Sequence, residues 1–306
     1  MGAEEHDPLL VQAWRGRAIE SIHHVVAAVC DADGRLLARY GDPAFVTYWR
    51  SSAKPFQLWP WIADGTVDHW RWGEPEMAVI CASHAGTDRH ANLVRRMLAD
   101  LGLTECDLQT HPTVKAAHEC SGNHTGMLAA CVRHGLDVPS YLAEDHPVQR
   151  ACHVAVARAA GLEPKDVPVA PDGCGVAAFA TSVTLAATAY ARLPLLVPRA
   201  AAAMRGHPVL VEGEGLIDTV FMQAFPGTVS KDGAEGLGCA VLADGRGLAV
   251  KALDGADRAM GPALIALALR CLGLADMPAI LAPVGRPPRL NGHGAVVGEL
   301  VAVLPD

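Results

Sequence analysis

The chain has 306 residues, 51% of them hydrophobic and 19% charged, with a formal net charge of −8. This much apolar material supports one large core or two closely joined lobes, and it excludes a disordered chain. The acidic balance and the lack of a Lys/Arg cluster argue against nucleic-acid and anionic-membrane partners. The longest apolar stretches, such as Ala263–Leu269, are far too short to span a membrane.

Cysteine usage bears on the compartment. The nine cysteines are an odd number and include no C-x-x-C pair. In a chain of this length, that indicates reduced thiols and not a disulfide framework. The start, Met1–Asp7, is acidic and has no apolar run, so no signal peptide is predicted. We therefore expect a cytoplasmic protein.

The first predicted element is a β-hairpin. Ile22–Val29 is apolar and β-branched, Asp31–Gly34 is typical of a turn, and Arg35–Tyr40 forms the second strand. A short strand, Phe45–Trp49, then leads into a helix. Pro55 marks the start of that helix to within a residue or two, because proline is tolerated only in a first turn, and the helix should continue toward Ala63.

The middle of the chain is predicted to be nearly all helical. Apolar residues recur there at helical spacing, and glycines follow several of the runs as stop signals. The predicted helices are Pro75–Ala82, one capped by Thr87 or Asp88, His124–His134, Val148–Ala160, Ser182–Arg192 and Pro198–Arg205.

The last third returns to strands, with Gly238–Leu242 and Leu248–Leu253 flanking a turn and Val296–Val303 at the end. A long helix, Ala256–Leu272, lies between them. We expect an α/β fold in which N- and C-terminal strands share one antiparallel sheet. The mostly helical block would be inserted as a second lobe. Residues 1–306 are taken as a single unit, with a sheet lobe at 1–50 and 206–306 and a helical lobe at 51–205.

Ser51 and Lys54 form an S-x-x-K motif at a predicted helix start, where positions three apart share a face. A lysine held neutral can take the proton of a serine, and a helix N-terminus favours a developing oxyanion. This is the logic of the S-x-x-K enzymes. An N-capping serine beside a solvated lysine has the same spacing and is the commoner occurrence.

Ser83 and Lys251 extend the motif. Ser83 lies in a glycine-flanked turn, where a local turn hydrogen bond is the alternative. Lys251 shares a strand face with Ala249 and Leu253, so it needs a partner or a cleft unless its strand is an edge strand. An S-x-x-K, a second serine and then a strand lysine follow the order of serine β-lactamases and penicillin-binding proteins.

Cys120 and Cys174 lie in glycine-containing loops and together could bind one metal ion. Two thiols do not complete a closed zinc site, and His118 to His124 lacks the H-E-x-x-H spacing. Two ordinary buried thiols are the alternative interpretation.

These segments together resemble the class 3, or rhizobial-type, L-asparaginases, the asparaginase II family, over almost the whole chain. The resemblance implies a serine β-lactamase-like α/β fold and hydrolysis of the L-asparagine side-chain amide to L-aspartate and ammonia. The matching stretches are Arg50–Gln57, Cys81–Gly86, Cys120–Met127, Asp172–Val176, Gly233–Gly236, Lys251–Ala259, the hairpin with His23 and His24, and Asn291–Glu299.

The resemblance also implies two serine–lysine pairs, Ser51 with Lys54 and Ser83 with Lys251. It implies a metal, usually zinc, held by two cysteines and a lysine. Cys120 and Cys174 match the cysteines, but the third position is Asn123. Because asparagine is a weak neutral ligand, we expect a zinc site of reduced affinity or an empty one.

Our hypothesis for catalysis gives each of these residues a role. Ser51 attacks the amide carbon, Lys54 removes its proton while Lys251 keeps Lys54 neutral, and Ser83 relays a proton to the leaving ammonia. Backbone N–H groups at the start of the Ser51 helix would stabilise the oxyanion. The candidate substrate-binding residues are Arg50 and His124 for the carboxylate, Glu235 and Asp254 for the ammonium, and His84 and Asn123.

Three other interpretations stay open. One is another small-amide or β-lactam-type serine hydrolase, such as a glutaminase. A second is a catalytically impaired homologue that binds an amide or a metal, which Asn123 alone favours. A third is a thiol enzyme using Cys120. We expect a homodimer, the commonest assembly, with L-asparagine as its small-molecule partner.

Overall fold

The computed structural model describes residues 7–305, so residues 1–6, on which the signal-peptide prediction rests, lie outside it. The chain forms two compact units. The sheet unit comprises residues up to Thr47, Thr181–Arg192 and residues from Gly215 onward, and the helical unit comprises Tyr48–Ala180 and Leu193–Glu214. The predicted single unit and its lobe boundaries stay predictions.

Eleven strands occur within the described residues. They are β1 (Leu9–Arg15), β2 (Ala18–Cys30), β3 (Leu36–Tyr40), β4 (Val46–Tyr48), β5 (Val169–Pro171), β6 (Ala177–Ser182), β7 (Val229–Gly233), β8 (Leu237–Val241), β9 (Gly247–Ala252), β10 (Pro288–Leu290) and β11 (Val296–Val303).

Thirteen α-helices and four 3-10 helices occur within the same residues. The α-helices are α1 (Lys54–Gln57), α2 (Trp59–Ala63), α3 (Thr66–His69), α4 (Glu74–Ile80), α5 (Asp88–Asp100), α6 (Ser121–His134), α7 (Pro147–Ala160), α8 (Val183–Leu196), α9 (Pro198–Gly206), α10 (Pro208–Val211), α11 (Ile217–Ala224), α12 (Asp257–Leu272) and α13 (Ala282–Gly285). The 3-10 helices are Arg50–Ala53, Glu105–Asp107, Pro164–Asp166 and Ala279–Leu281.

The main sheet joins both ends of the chain. Its strand order is β10-β11-β1-β2-β9-β8-β7, with β3 also paired to β2, and its pairs are antiparallel. The pairs β1–β11 and β2–β9 connect N-terminal to C-terminal strands. The predicted α/β architecture, an antiparallel sheet shared by the two chain ends with a helical block between them, is therefore confirmed.

The core of the sheet unit lies between one sheet face and helices α11 and α12. In β1, Leu9, Val11 and Ala13 are fully buried while the residues between them are partly exposed, as strand alternation requires. Strand β9 is different, since all six of its residues are buried. It lies between β2 and β8, so Lys251 belongs to an interior strand and the edge-strand interpretation is wrong.

The helical unit is built around α6, whose residues Ser121–Cys131 are all buried. Two glycines let α4 approach it closely. A Cβ at Gly122 would overlap the carbonyl oxygen of Val79, and one at Gly126 would lie 2.9 Å from the Ile80 side chain. This close approach places the N-terminus of α6, where Cys120 lies, beside the end of α4.

Several predicted elements differ from the structure. The helix predicted to continue toward Ala63 is divided into α1 and α2, although its start at Lys54 lies within one residue of Pro55, as predicted. The middle of the chain is less helical than predicted, because β5 and β6 lie within it. β7 has no clear apolar alternation, since its sequence is Val-Ser-Lys-Asp-Gly. Ser230 and Lys231 can be buried there because both bond to Asp218, a contact that sequence periodicity cannot show.

The packing of β9 on α8 gives a test of the sheet unit. A Cβ at Gly247 would overlap the Ala187 carbonyl oxygen and lie 2.5 Å from the Ala191 nitrogen. We expect Gly247→Ala to lower the free energy of unfolding by about 1–3 kcal/mol, as overpacking does. The control is Gly292→Ala, whose Cβ would meet no atom within 4 Å. Equal midpoints in urea unfolding for the two variants would contradict this packing.

Candidate active site

The centre of the candidate site is the buried amino group of Lys54. The side chain is only 3% exposed. Its Nζ donates to the carbonyl oxygen of Ala82 at 2.7 Å, to Ser83 Oγ at 3.0 Å and to Cys120 Sγ at 3.3 Å. These three partners occupy all the hydrogen-bonding positions of the nitrogen, and in the neutral amine the lone pair can accept the Ser83 O–H. Lys54 thus joins three segments that are far apart in sequence and that each carry a predicted motif.

Ser51 lies half-buried in the 3-10 turn just before Lys54. Among residues 7–305, its side chain takes part in no hydrogen bond, and the hydroxyl that Lys54 contacts is that of Ser83. The spacing of three residues alone therefore does not bring the predicted Ser51–Lys54 pair into hydrogen-bond contact. The Ser51 hydroxyl is left without a side-chain partner in this part of the chain.

Arg50, directly before Ser51, has a left-handed backbone with φ of 49°. A non-glycine residue adopts this conformation at a cost and keeps it only where surrounding contacts impose it. Here Nε of Arg50 donates to Asp172 Oδ1 at 2.7 Å. That ion pair connects the Ser51 turn to the loop of Cys174. The proposed contact of Arg50 with a substrate carboxylate stays a prediction.

The Ser83 loop is held by backbone hydrogen bonds. Ser83 N–H donates to the Val211 carbonyl at 3.0 Å, His84 N–H to Glu119 at 3.1 Å, and Ala85 N–H to Glu212 at 2.6 Å. Gly86 has φ of +67°, and a Cβ there would overlap the Ala117 carbonyl oxygen. The position of the Ser83 hydroxyl is therefore fixed by main chain on both sides.

His84 is buried and bonded through both ring nitrogens. Nδ1 accepts the Gly86 N–H at 3.1 Å, so Nε2 carries the proton and donates it to Ser121 Oγ at 2.9 Å. Ser121 Oγ donates in turn to the Ala116 carbonyl at 2.8 Å. Burial, with His90 and Lys54 nearby, lowers the pKa of His84 to about 3, so the ring is neutral. These contacts position Ser83 against α6, and a contact with substrate stays a prediction.

Cys120 and Cys174 are both buried, and their thiols lie close enough for each to shift the pKa of the other. The Cys174 thiol, aided by the charge of Lys54 and by His118, lowers the pKa of Cys120 well below its ordinary value. The pKa of Cys174 is raised, because Cys120 takes the negative charge first. Of the two sulfurs, Cys120 is therefore the one that loses its proton more readily, and it is the one that contacts the Lys54 amino group.

Asn123 and His124 each carry a buried polar atom without a partner among the described residues. Asn123 Nδ2 donates to the Ile80 carbonyl at 3.3 Å, while its Oδ1 has no hydrogen-bond partner. His124 Nδ1 contacts Tyr141 Oη at 2.6 Å, while Nε2 has none. Burial, which outweighs the nearby charge of Cys120, lowers the pKa of His124 to about 3. Both orphaned atoms are available to a ligand.

The other predicted residues lie in the sheet unit. Lys251 Nζ donates to the carbonyl oxygens of Glu235 and Ala252. Asp254 Oδ2 lies 2.6 Å from His23 Nδ1, and Arg258 Nε donates to His23 Nε2 at 2.9 Å. Because an arginine can only donate, His23 must donate to Asp254 through Nδ1. The pairing of Ser83 with Lys251 stays a prediction.

Sequence reasoning missed Asp172 and Ser121 as parts of this region. Both lie inside motifs that were singled out for their cysteines, one two residues before Cys174 and the other directly after Cys120. Their partners, Arg50 and His84, come from distant segments. The sequence could have pointed to these two residues only through their positions, since Asp172 lies beside a glycine-rich loop and Ser121 at a helix start.

The donors near the two thiols fit an open metal site. Among residues 7–305, no His, Asp or Glu has a ligand atom that lies within 4.8 Å of both sulfurs while the sulfurs lie within 4.8 Å of each other. Asn123 lies three positions after Cys120 on α6, on the same helix face, and its orphaned Oδ1 can serve as a third, weaker donor.

Within residues 7–305, no helix has both the length and the apolar character that crossing a bilayer requires.

Three comparisons with known proteins identify the family of this chain. A comparison with curated proteins found no significant match. Among solved structures, a β-lactamase from Mycobacterium bovis aligns over 76% of this chain and 88% of its own, at 16% identity and a TM-score of 0.34. The family model described as L-asparaginase II matches residues 11–302. The chain therefore belongs to the L-asparaginase II family, a family of asparaginase-type hydrolases.

Proposed function

We propose that this protein hydrolyses the side-chain amide of L-asparagine to L-aspartate and ammonia through a serine–lysine acyl-enzyme. The observation that carries the proposal is the buried contact of Lys54 Nζ with Ser83 Oγ at 3.0 Å. A hydroxyl and an amine within hydrogen-bond reach are the signature of a nucleophilic serine site. Membership of the L-asparaginase II family supports the choice of substrate.

In the proposed mechanism, Ser51 is the nucleophile and Ser83 the proton relay. Ser51 Oγ forms a bond to the amide carbon, and its proton passes through Ser83 to Lys54. The tetrahedral intermediate then expels ammonia, which takes the proton back along the same route. Water attacks the acyl-enzyme with the same relay and releases L-aspartate. The free Ser51 hydroxyl and the Lys54–Ser83 hydrogen bond support this division of roles.

The oxyanion needs donors that are not already used. The Ser52 N–H at the start of the predicted helix donates to the Trp49 carbonyl at 3.0 Å, so it is not one of them. Substrate binding by Arg50, Asn123, His124, Glu235 and Asp254 is proposed on chemistry alone. His124 Nε2 is the best-supported of these groups, because it is buried and unpartnered within the described residues.

We propose that Cys120, Cys174 and Asn123 hold a zinc ion when one is bound. A zinc ion supplies Lewis acidity and can orient a substrate. The lowered pKa of Cys120 favours the thiolate that ligation requires. Asn123 in place of a lysine supports a weak site. The homodimer and the cytoplasmic location stay predictions.

The other interpretations make different predictions for one assay. Ammonia release should be faster from L-asparagine than from L-glutamine, and a chromogenic β-lactam should be hydrolysed slowly or not at all. Faster turnover of glutamine or the β-lactam would reassign the substrate. Calorimetric binding of asparagine without ammonia release would instead support a catalytically impaired homologue.

Single serine variants test the nucleophile. We expect Ser51→Ala to lower kcat at least ~10⁴-fold, since it removes the attacking atom. Ser83→Ala should lower kcat by about 10²–10³-fold, since it removes a proton relay. Hydroxylamine should trap the acyl group as aspartyl hydroxamate with wild-type protein and Ser83→Ala, but not with Ser51→Ala.

The exposed Ser140 provides the matched control, and Ser140→Ala should retain wild-type activity. Substantial turnover by Ser51→Ala together with complete loss in Ser83→Ala would transfer the nucleophilic role to Ser83.

Cysteine variants test the metal site. We expect Cys120→Ser and Cys174→Ser to lose zinc binding, and Asn123→Ala to weaken it about tenfold, or about 1.4 kcal/mol. Zinc affinity should fall as the pH is lowered, because protons compete for the thiolates. Cys131→Ala, at a buried thiol on the same helix, should bind like wild type. Unchanged binding to Cys120→Ser, measured by calorimetry, would rule out this site.

A further inference from the structure

Lys251 is buried in the sheet unit without a carboxylate partner. It is 6% exposed, and within residues 7–305 it forms no ion pair with an N···O distance of 4.0 Å or less. Lys231 of the same unit is buried as well, but it contacts the carboxylates of Asp218 and Asp232. A buried ammonium normally has such a partner. The sheet unit therefore holds one lysine in an ion pair and keeps the other away from carboxylates.

The acceptors of Lys251 Nζ are two main-chain carbonyls. One belongs to Glu235, in the turn between β7 and β8, and the other to Ala252, at a distance of 2.7 Å. A lysine nitrogen is tetrahedral, so two fixed acceptors determine the direction of its remaining position. In the ammonium form that position is an N–H, and in the neutral form it is the lone pair. The two carbonyls therefore decide where Lys251 can give or take a proton.

We infer that Glu235 is a positioning residue, whose main-chain carbonyl directs the free valence of the catalytic amine Lys251. This inference rests on the proposed serine–lysine function together with the predicted pairing of Ser83 with Lys251, which would make Lys251 part of the catalytic machinery. It assigns to the backbone of Glu235 a role that is separate from the predicted contact between its carboxylate and a substrate ammonium.

The turn that presents this carbonyl is strained and tied down. Glu235 has φ of 65° and Gly236 has φ of 70°. The left-handed conformation is costly for glutamate, though not for glycine. Gly236 N–H donates to Asp257 Oδ1 at 2.7 Å, and Ala252 N–H donates to the Gly236 carbonyl at 2.9 Å. The turn is thus anchored to α12 on one side and to β9 on the other.

Charges around Lys251 act from a distance, whereas the carbonyls act by contact. Burial lowers the pKa of Lys251, and the carboxylates of Glu235, Asp254 and Asp257 oppose that change. These three come from the turn, from the residues after β9 and from α12. The partners of Lys251 on the neighbouring strands, Val26 and Leu237, are uncharged. Substitutions can therefore separate the effect of a carbonyl on the pKa of Lys251 from the effect of a carboxylate charge.

The proposal can be tested by NMR, because the chain contains only five lysines. In protein labelled with ¹³Cε-lysine, each amino group gives a signal that titrates with pH. A Cβ in Gly236→Ala would lie 2.7 Å from Ala252 Cβ and 3.1 Å from the Ala256 oxygen, so the turn must move. Loss of the Glu235 acceptor should shift the Lys251 midpoint about one pH unit lower, since that acceptor favours the ammonium.

Charge effects are measured by Glu235→Gln, which keeps the carbonyl and removes the carboxylate. Its shift should be no more than a few tenths of a pH unit. If Gly236→Ala does not fold, Asp257→Ala and Asp257→Asn replace it, because asparagine can still accept the Gly236 N–H. The titration midpoint of Lys251 should then move to lower pH clearly further in Asp257→Ala than in Asp257→Asn. The variant with the larger change in midpoint should also have the lower kcat, while KM changes little.

Two results would overturn the proposal. One is a change in the Lys251 titration midpoint that is as large in Glu235→Gln as in Gly236→Ala. The other is an unchanged Lys251 midpoint in both Gly236→Ala and Asp257→Ala. The titration needs no substrate, so it is independent of the proposed function. That function fails separately if wild-type protein releases no ammonia from L-asparagine.

Discussion

A buried lysine must find acceptors, and the contacts of Lys54 show how this requirement organises the helical unit. Its amino group contacts a carbonyl, a hydroxyl and a sulfur; the first two belong to the loop that follows α4, and the sulfur lies at the start of α6. If one acceptor moved away, a buried donor would be left unsatisfied, at a cost of about 1–3 kcal/mol. The close approach of α4 and α6 through Gly122 and Gly126 keeps all three in place.

Three buried lysines in this chain are satisfied in three different ways. Lys231 pairs with carboxylates, which makes it a structural ion pair. Lys54 contacts one carbonyl, a serine hydroxyl and a cysteine that favours its thiolate form. Lys251 has neutral carbonyls only. A carboxylate in contact would hold a lysine in its charged form, and neither Lys54 nor Lys251 has one among its hydrogen-bond partners.

Local sequence predicted the motifs correctly as segments but not their partners. Strands β2, β3, β8, β9 and β11 and the helix after Cys120 follow from apolar periodicity and turn residues, whereas β1 and β10 were not predicted. The partner of Lys54 cannot be predicted in this way, because the three-residue spacing between Ser51 and Lys54 concerns only residues of one short segment. Its contact with Ser83 depends on how α4 packs against α6, which one sequence does not encode in any local pattern.

The same limit applies to Lys251. Its strand is recognisable, but whether that strand lies at an edge or inside the sheet depends on the pairing of β9 with β2 and β8. The polar sequence of β7 concealed a strand for a related reason. Its Lys231 is compatible with burial only because Asp218 comes from α11, a different element.

Backbone strain marks both parts of the predicted machinery. Within residues 7–305, the non-glycine residues with positive φ are Arg50, Arg71 and Glu235. Arg50 precedes Ser51, and Glu235 supplies the carbonyl that Lys251 contacts. Such conformations cost of order 1–3 kcal/mol each and persist only where other contacts impose them. Those contacts are present in both places, as the Arg50–Asp172 ion pair and the Gly236–Asp257 hydrogen bond. Because relaxation of either turn would move a reactive group, the same contacts that offset the strain also fix the direction in which that group points.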